Sequence, residues 1–312
     1  MIATVTRDWI AEHRAHSYHR TPDRRIESPK AARAFVEEVG FCHFWPIKDV
    51  ELPNLFHAIA GRIRPVPMEH DDPDMNRCWR WKDDALGKRQ WYYSKFLRKR
   101  ATLISLDLLP TFYACSENLG DLDDYLEVYR AGLMTAEAKW IYEALLEHGP
   151  LDTIGLRQEA GMSARSAKSR FQRALVELQA GLRVLPIGVA RTGAWRYAFT
   201  YEILERHFPE LPEQARQITR SEAVRTLVSR YLGNVVAADR RMIGRIFRIL
   251  RWTAAELERT LASLLDEGVV REIQVNGLTQ PQLISTHVLE RGGWFGAVES
   301  DAFPHSQRRL AR

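Results

Sequence analysis

Apolar positions along this chain fall into helical and alternating runs, and two long series of them match. In residues 133–201, Ala138, Ile141 and Leu145 mark one helical face, ended by Gly149-Pro150. A short second helix is expected over 153–160, closed by Gly161. A third begins at Ser163 as N-cap, and its Ala164, Ala167, Phe171, Ala174 and Leu178 recur at helical spacing. After Gly181, LRVLPIGV, ARTG and AWRYAFTY read as strand, turn and strand. Residues 219–288 repeat the order. Val224, Leu227, Val228 and Tyr231 form one helix, broken at Gly233-Asn234, and 238–247 gives the next. Thr253-Ala-Ala-Glu256 is a capping box for the third. VVREIQV, NGLTQ and PQLISTHVL follow, with Asn276-Gly277 a strong hairpin signal.

Three helices and a two-stranded ribbon, found twice, predict tandem winged helix-turn-helix modules: a mainly α chain with small β-wings, α+β in class. The expected divisions are a basic N-terminal segment (1–27), a degenerate winged-helix module (28–62) with no visible wing, a basic and aromatic helical connector (63–132), winged modules at 133–210 and 211–290, and a tail (291–312). In the degenerate module, Ser28-Pro29 opens a helix along Ala32, Phe35, Val36 and Val39, and a second helix is expected over 51–60. Residues 63–84 read as loop. GKRQWYYSKFLRKR leads into an apolar helical stretch running to Cys115.

Charge sharpens this picture only where it clusters. The net charge of +5, from 45 Lys+Arg against 40 Asp+Glu, is modest. The helix from Ser163 carries Arg165, Lys168, Arg170 and Arg173 around its apolar face, with Ser166, Ser169 and Gln172 between them. A recognition helix needs such a face, because cations neutralise phosphates and an arginine near the helix start can reach a guanine edge. In the second copy the cations are Arg240, Arg241, Arg245, Arg248 and Arg251, on the middle helix and turn. Its third helix is acidic, which suits backbone contact rather than base reading. Lys88–Arg100 interleaves six cations with Trp91, Tyr92, Tyr93 and Phe96. It reads either as a surface for unpaired bases or as a helix with aromatics in the core.

Other chemistry is sparse. Cys42, Cys78 and Cys115 form no CxxC pair, and EHDDPD at 69–74 lacks EF-hand spacing, so no metal or other cofactor is expected. The N-terminus lacks a signal peptide's apolar run, and no stretch is apolar for the roughly 18 residues of a membrane span. A cytoplasmic monomer with no membrane attachment, acting on double-stranded DNA, is the expectation.

The order of parts resembles the bacterial AlkZ/YcaQ-like winged-helix DNA glycosylases, which excise alkylated bases and unhook interstrand crosslinks. The resemblance spans roughly 25–288 and rests on GFCHFWPIKDVELPNLF, RATLISLDLLP, and ALVELQAGLRVLPIG with WRYAFTYEILERHFP. It implies tandem winged helices forming a concave DNA-binding surface, and a catalytic Gln-x-Gln or Gln-x-Asp tripeptide within the segment matching GFCHFWPIKDV. The matching triplet is His43-Phe44-Trp45, with neither glutamine nor carboxylate. His43 is the candidate for activating water, while Trp45 suits DNA contact by stacking or wedging. The family's C-terminal β-barrel is not expected, since only residues 289–312 follow. A repair-associated DNA-binding protein without the usual dyad is the leading expectation. The alternatives are an active glycosylase using His43 and Asp49, and a transcriptional regulator.

Overall fold

The computed structural model describes residues 3–67, 71–116, 118–193 and 197–291. It is a mixed α+β fold in which one arrangement recurs three times. The N-terminal segment is itself structured. Strand β1 (Ala3–Val5) runs into helix α1 (Arg7–Ser17), whose N-cap Thr6 accepts from the Trp9 amide.

The first block holds α2 (Pro29–Val39), β2 (Phe41–His43), α3 (Leu55–Ala60), α4 (Pro73–Ala85), β3 (Tyr92–Lys95) and β4 (Ala101–Ile104). Ser28 caps α2 and Asn54 caps α3, each accepting the backbone N–H three residues on. Two sequence expectations change here. The stretch read as loop contains α4, capped by Asp72 with Pro73 in its first turn. The basic, aromatic stretch read as helical is the β3–β4 hairpin, with Tyr92 opposite Ile104 and Lys95 opposite Ala101. The hairpin pairs with β2, giving the order β2-β4-β3, so the strands of this block extend beyond residue 62. Helices α5 (Leu109–Ala114) and α6 (Tyr125–Arg130) lead onward.

The middle block holds α7 (Ala136–His148), β5 (Leu151–Asp152), α8 (Thr153–Glu159), α9 (Lys168–Ala180), β6 (Val184–Ala190) and β7 (Ala198–Ile203), in sheet order β5-β7-β6. Asp152 caps α8 through the amides of Ile154 and Gly155. Ser163 does not cap α9. A 3₁₀ turn over Arg165–Ala167 precedes the helix instead, and Arg157 braces the approach by donating to the carbonyls of Met162, Ser163 and Ala164. Of the expected turn ARTG and strand start, Ala194–Arg196 lie outside the described residues.

Helices α10 (Leu204–His207) and α11 (Leu211–Arg216) connect to the third block. There α12 (Arg220–Val235), β8 (Ala237–Ala238), α13 (Arg240–Ile246), α14 (Ala254–Asp266), β9 (Val270–Val275) and β10 (Gln282–Ser285) repeat the plan. Thr253 and Glu256 form the expected capping box. Gly233-Asn234 does not break α12. The helix continues because Asn234 Nδ2 donates to the Val39 carbonyl at 2.7 Å, tying it to α2. The segment after β10 is helix α15 (Thr286–Arg291), not strand. The sheet order is β1-β9-β10-β8, with β1 parallel to β9, so the chain's own start covers the outer edge of the hairpin.

In all three blocks, the short strand after the first helix lies beside the last strand of the hairpin. Phe41, Phe96, Phe112, Tyr231 and Phe247 pack in one core joining the first and third blocks, with Phe41 edge-on to Phe112 at 5.4 Å. A second core fills the first block around Phe35, Phe44 and Phe56, and a third the middle block around Tyr142 and Phe171. Among the described residues, no helix is long and apolar enough to cross a membrane.

Candidate functional site

His43 ends β2, where its backbone N–H donates to the Pro53 carbonyl and it lies opposite Thr102 of β4. The side chain is only 2% exposed, and neither ring nitrogen has a hydrogen-bond partner. The Ala101 carbonyl favours the protonated ring but falls short of hydrogen-bond geometry. Burial above all, helped by the charges of Arg98 and Arg100, pushes the pKa down to about 4. His57, also buried, shows what satisfaction looks like. Its Nδ1 accepts from Asn54 at 3.2 Å, and its Nε2 donates to the Arg64 carbonyl at 2.8 Å. Buried polar groups rarely lack partners, and His43 is unusual in having both ring nitrogens without one.

Trp45 lies beyond the end of β2, so strand alternation does not place it with His43. It is half-buried in an aromatic cluster, 4.6 Å from the Phe44 ring and 5.2 Å from Phe56. Behind it stands a group the sequence reading missed. Lys82 on α4 is wholly buried, its Nζ 4.2 Å from the Trp79 ring centre and 4.5 Å from that of Phe199. Lys82 Nζ, Asp83 Oδ1 and Tyr197 Oη close a triangle with sides of 2.6, 2.9 and 3.0 Å. The triangle fastens the first block's α4 to Tyr197, the residue just before the middle block's β7. Gly87 strengthens this joint, since a Cβ there would lie 2.6 Å from the Ile187 carbonyl.

Burial lowers the Lys82 pKa to about 8, against the opposing pull of Asp83. The unfolded chain therefore binds more protons here between pH 8 and the ordinary lysine value near 10.5, so stability through this group rises with pH across that window. Raising the pH from 8 to 10 should stabilise wild type by about 2–3 kcal/mol relative to Lys82→Met. Above pH 10 the buried Tyr92 and Tyr93, whose pKa values are raised by burial, oppose the gain. Denaturant unfolding of both proteins at several pH values measures this. Parallel pH dependences would rule it out.

Arg165, in the 3₁₀ turn, and Lys168, Ser169, Arg170 and Arg173, on α9, are all exposed. Arg170 pairs with Glu137 at 3.3 Å, while no described carboxylate lies within ion-pair distance of the other three cations. The one acid on the helix, Glu177, is turned away, accepting from the backbone N–H and hydroxyl of Thr135 at 2.8 Å each. In the third block, Arg240 is held by Glu258 and Glu272, at 3.4 and 3.0 Å. Arg241 and Arg245 are exposed and outside ion-pair distance of any described acid. In the acidic loop, Glu69 and His70 lie outside the described residues. Asp72 pairs with Arg64, and Asp74 with Arg25 and Arg64. Among the described residues no group of His, Cys, Asp or Glu could hold a metal ion.

The profile of the AlkZ-related family matches residues 26–248, and the chain belongs to that family. Among curated proteins, none matches it in sequence. The solved structure of Streptomyces sahachiroi DNA glycosylase AlkZ is similar in fold, with a TM-score of 0.59 at 15% identity, over 93% of this chain and 72% of that one.

Proposed function

We propose that this protein is a repair-associated, tandem winged helix-turn-helix protein that binds double-stranded DNA and does not excise bases. The single observation that carries the reading is the cationic face of α9 and its leading 3₁₀ turn, where Arg165, Lys168 and Arg173 stand exposed and outside ion-pair distance of any described carboxylate, in a block that runs helix, strand, helix, helix and hairpin. Dimeric helix-turn-helix proteins double their contacts by symmetry, whereas three blocks in one chain do so covalently, which suits a monomer. Family membership supports the repair setting.

The absence of excision rests on the triplet. His43 is sealed, and Trp45 offers no group to activate water or stabilise an oxocarbenium-like sugar. One observation favours a second reading as a glycosylase. The unpartnered nitrogens of a His43 that stays neutral near pH 7 are what a catalytic water would need. Purified protein is to be incubated with intact duplex and with duplex carrying 7-methylguanine, measuring binding and base release together. The expected result is binding to both with no released base. Release that is lost in His43→Ala would establish the second reading, and failure to bind either duplex would overturn both.

A further inference from the structure

The tip of the β3–β4 hairpin carries Arg98, Lys99 and Arg100, all exposed. Arg98 and Lys99 both adopt left-handed backbone, at φ 56° and 55°, a conformation that side chains other than glycine and asparagine seldom take. This tip packs against the 3₁₀ turn Arg248–Leu250, and Arg98 Nη1 donates to the Arg245 carbonyl at 3.5 Å. Two cationic clusters separated by about 150 residues in sequence thus form one ridge of Arg98, Lys99, Arg100, Arg245 and Arg248. No described carboxylate lies within ion-pair distance of any of the five. Two acids, Asp49 and Glu51, line the cleft below Arg98 and Arg245. Of these, Glu51 is occupied by Arg14 and Arg20, at 3.3 and 3.9 Å, and Asp49 remains open.

We propose that this ridge is a clamp for the phosphodiester backbone of duplex DNA, assembled from the first and third blocks beside the His43 end of β2. The inference rests on the DNA-binding reading and says where a major grip lies. Chemistry selects phosphate over bases. Trp91, Tyr92, Tyr93, Phe96 and Leu97 are all buried, so the ridge has no aromatic platform for unpaired bases and presents only guanidinium and ammonium heads. Duplex over single strand follows, because stacking is what single-strand sites add to charge. The position follows too: Arg98 and Arg100 lie close enough to His43 for their charges to act on its ring.

Affinity of the full chain for a short duplex and for the matching single strand is to be measured by anisotropy between about 50 and 200 mM salt. Arg98→Asn tolerates the left-handed backbone, Arg245→Gln removes the second charge, and Arg130→Gln, exposed at the end of α6, is the control. Each ridge variant should lower the salt slope by about 0.9 and the double variant by about 1.8, a loss of roughly 60-fold near 0.1 M salt. The control should match wild type, and the single strand should bind more weakly. A double variant with the wild-type slope, or tighter single-strand binding, would overturn the clamp. If that double variant behaves as wild type while changes on α9 weaken binding, the clamp fails and DNA binding stands. If wild type binds no duplex at all, the functional reading fails with it.

Discussion

Arg183→Met is expected to destabilise the fold by about 3–5 kcal/mol, the loss typical of breaking one side of a buried ion pair. Arg183 begins the segment into β6, and its guanidinium meets Asp124, with side chains 5% and 4% exposed. Asp124 also accepts the Leu119 backbone N–H at 2.7 Å, so this one carboxylate fastens the start of α6 to the middle block. Removing Arg183 strands Asp124 without its counter-charge. It also removes a positive charge acting on Glu205, a second buried acid whose pKa burial raises and which accepts from Tyr113 at 2.6 Å. The contrast with Lys82→Met is instructive. Asp83 is 23% exposed and can be rehydrated when its lysine goes, whereas Asp124 cannot. Denaturant unfolding near pH 7 should therefore rank Arg183→Met well below Lys82→Met. Equal midpoints would show that the interior relaxes around Asp124 more than these contacts allow.

The α12–α14 and α7–α9 helices were legible because each buries one stripe and exposes the rest, the arrangement in which period alone identifies a helix. The first block resisted for specific reasons. On α4 the buried positions are Met75, Cys78, Trp81, Lys82 and Ala85, so a lysine and its neighbouring carboxylates interrupt the stripe. The residues of β3 and β4 are buried on both faces, which removes the polar alternation a hairpin normally shows, and the cations crowd the tip. Strands β5 and β8 are two residues long and carry no pattern of their own. Asp72-Pro73 was the available sign of α4, a cap followed by proline at the first helical position, standing inside what read as a proline-rich loop.

The candidate site was legible as a list of cations but not as a map. Sequence places Arg170 with Arg165 and Arg173, yet Glu137 from α7 reaches it across the block. It likewise groups Arg240 with Arg241 and Arg245, though Glu258 and Glu272 hold it. Such partners come from distant elements, so charge along one helix overstates what is free. The reverse also occurs. Lys88–Arg100 reads either as a surface for unpaired bases or as a helix with its aromatics in the core; the aromatics are buried as in the second reading, but on a hairpin whose tip cations meet the third block. His43 was legible only as a position in a triplet; its missing hydrogen-bond partners are a property of packing.

Neutralising the free cations of α9 and its leading 3₁₀ turn together, as Arg165→Gln, Lys168→Gln and Arg173→Gln, is expected to weaken duplex binding by about 10²–10³-fold near 0.1 M salt. All three are exposed while Phe171, Ala174 and Leu178 are buried, so their side chains contribute little to the core and the fold should survive. If each neutralises one phosphate, the slope of log affinity against log salt drops by about 2.7, and the deficit shrinks as salt rises. Arg170 is left in place because Glu137 already neutralises it, and replacing it should cost less than any of the three. Exposed Arg259 and Arg271, on the acidic α14 and on β9, provide the comparison, and their double Gln variant should bind almost as wild type. Titration of all variants against one duplex at several salt concentrations gives both affinity and slope. Equal losses from the α9 set and the Arg259 and Arg271 pair would mean that binding senses only overall charge, and α9 would lose its place as the helix that meets DNA.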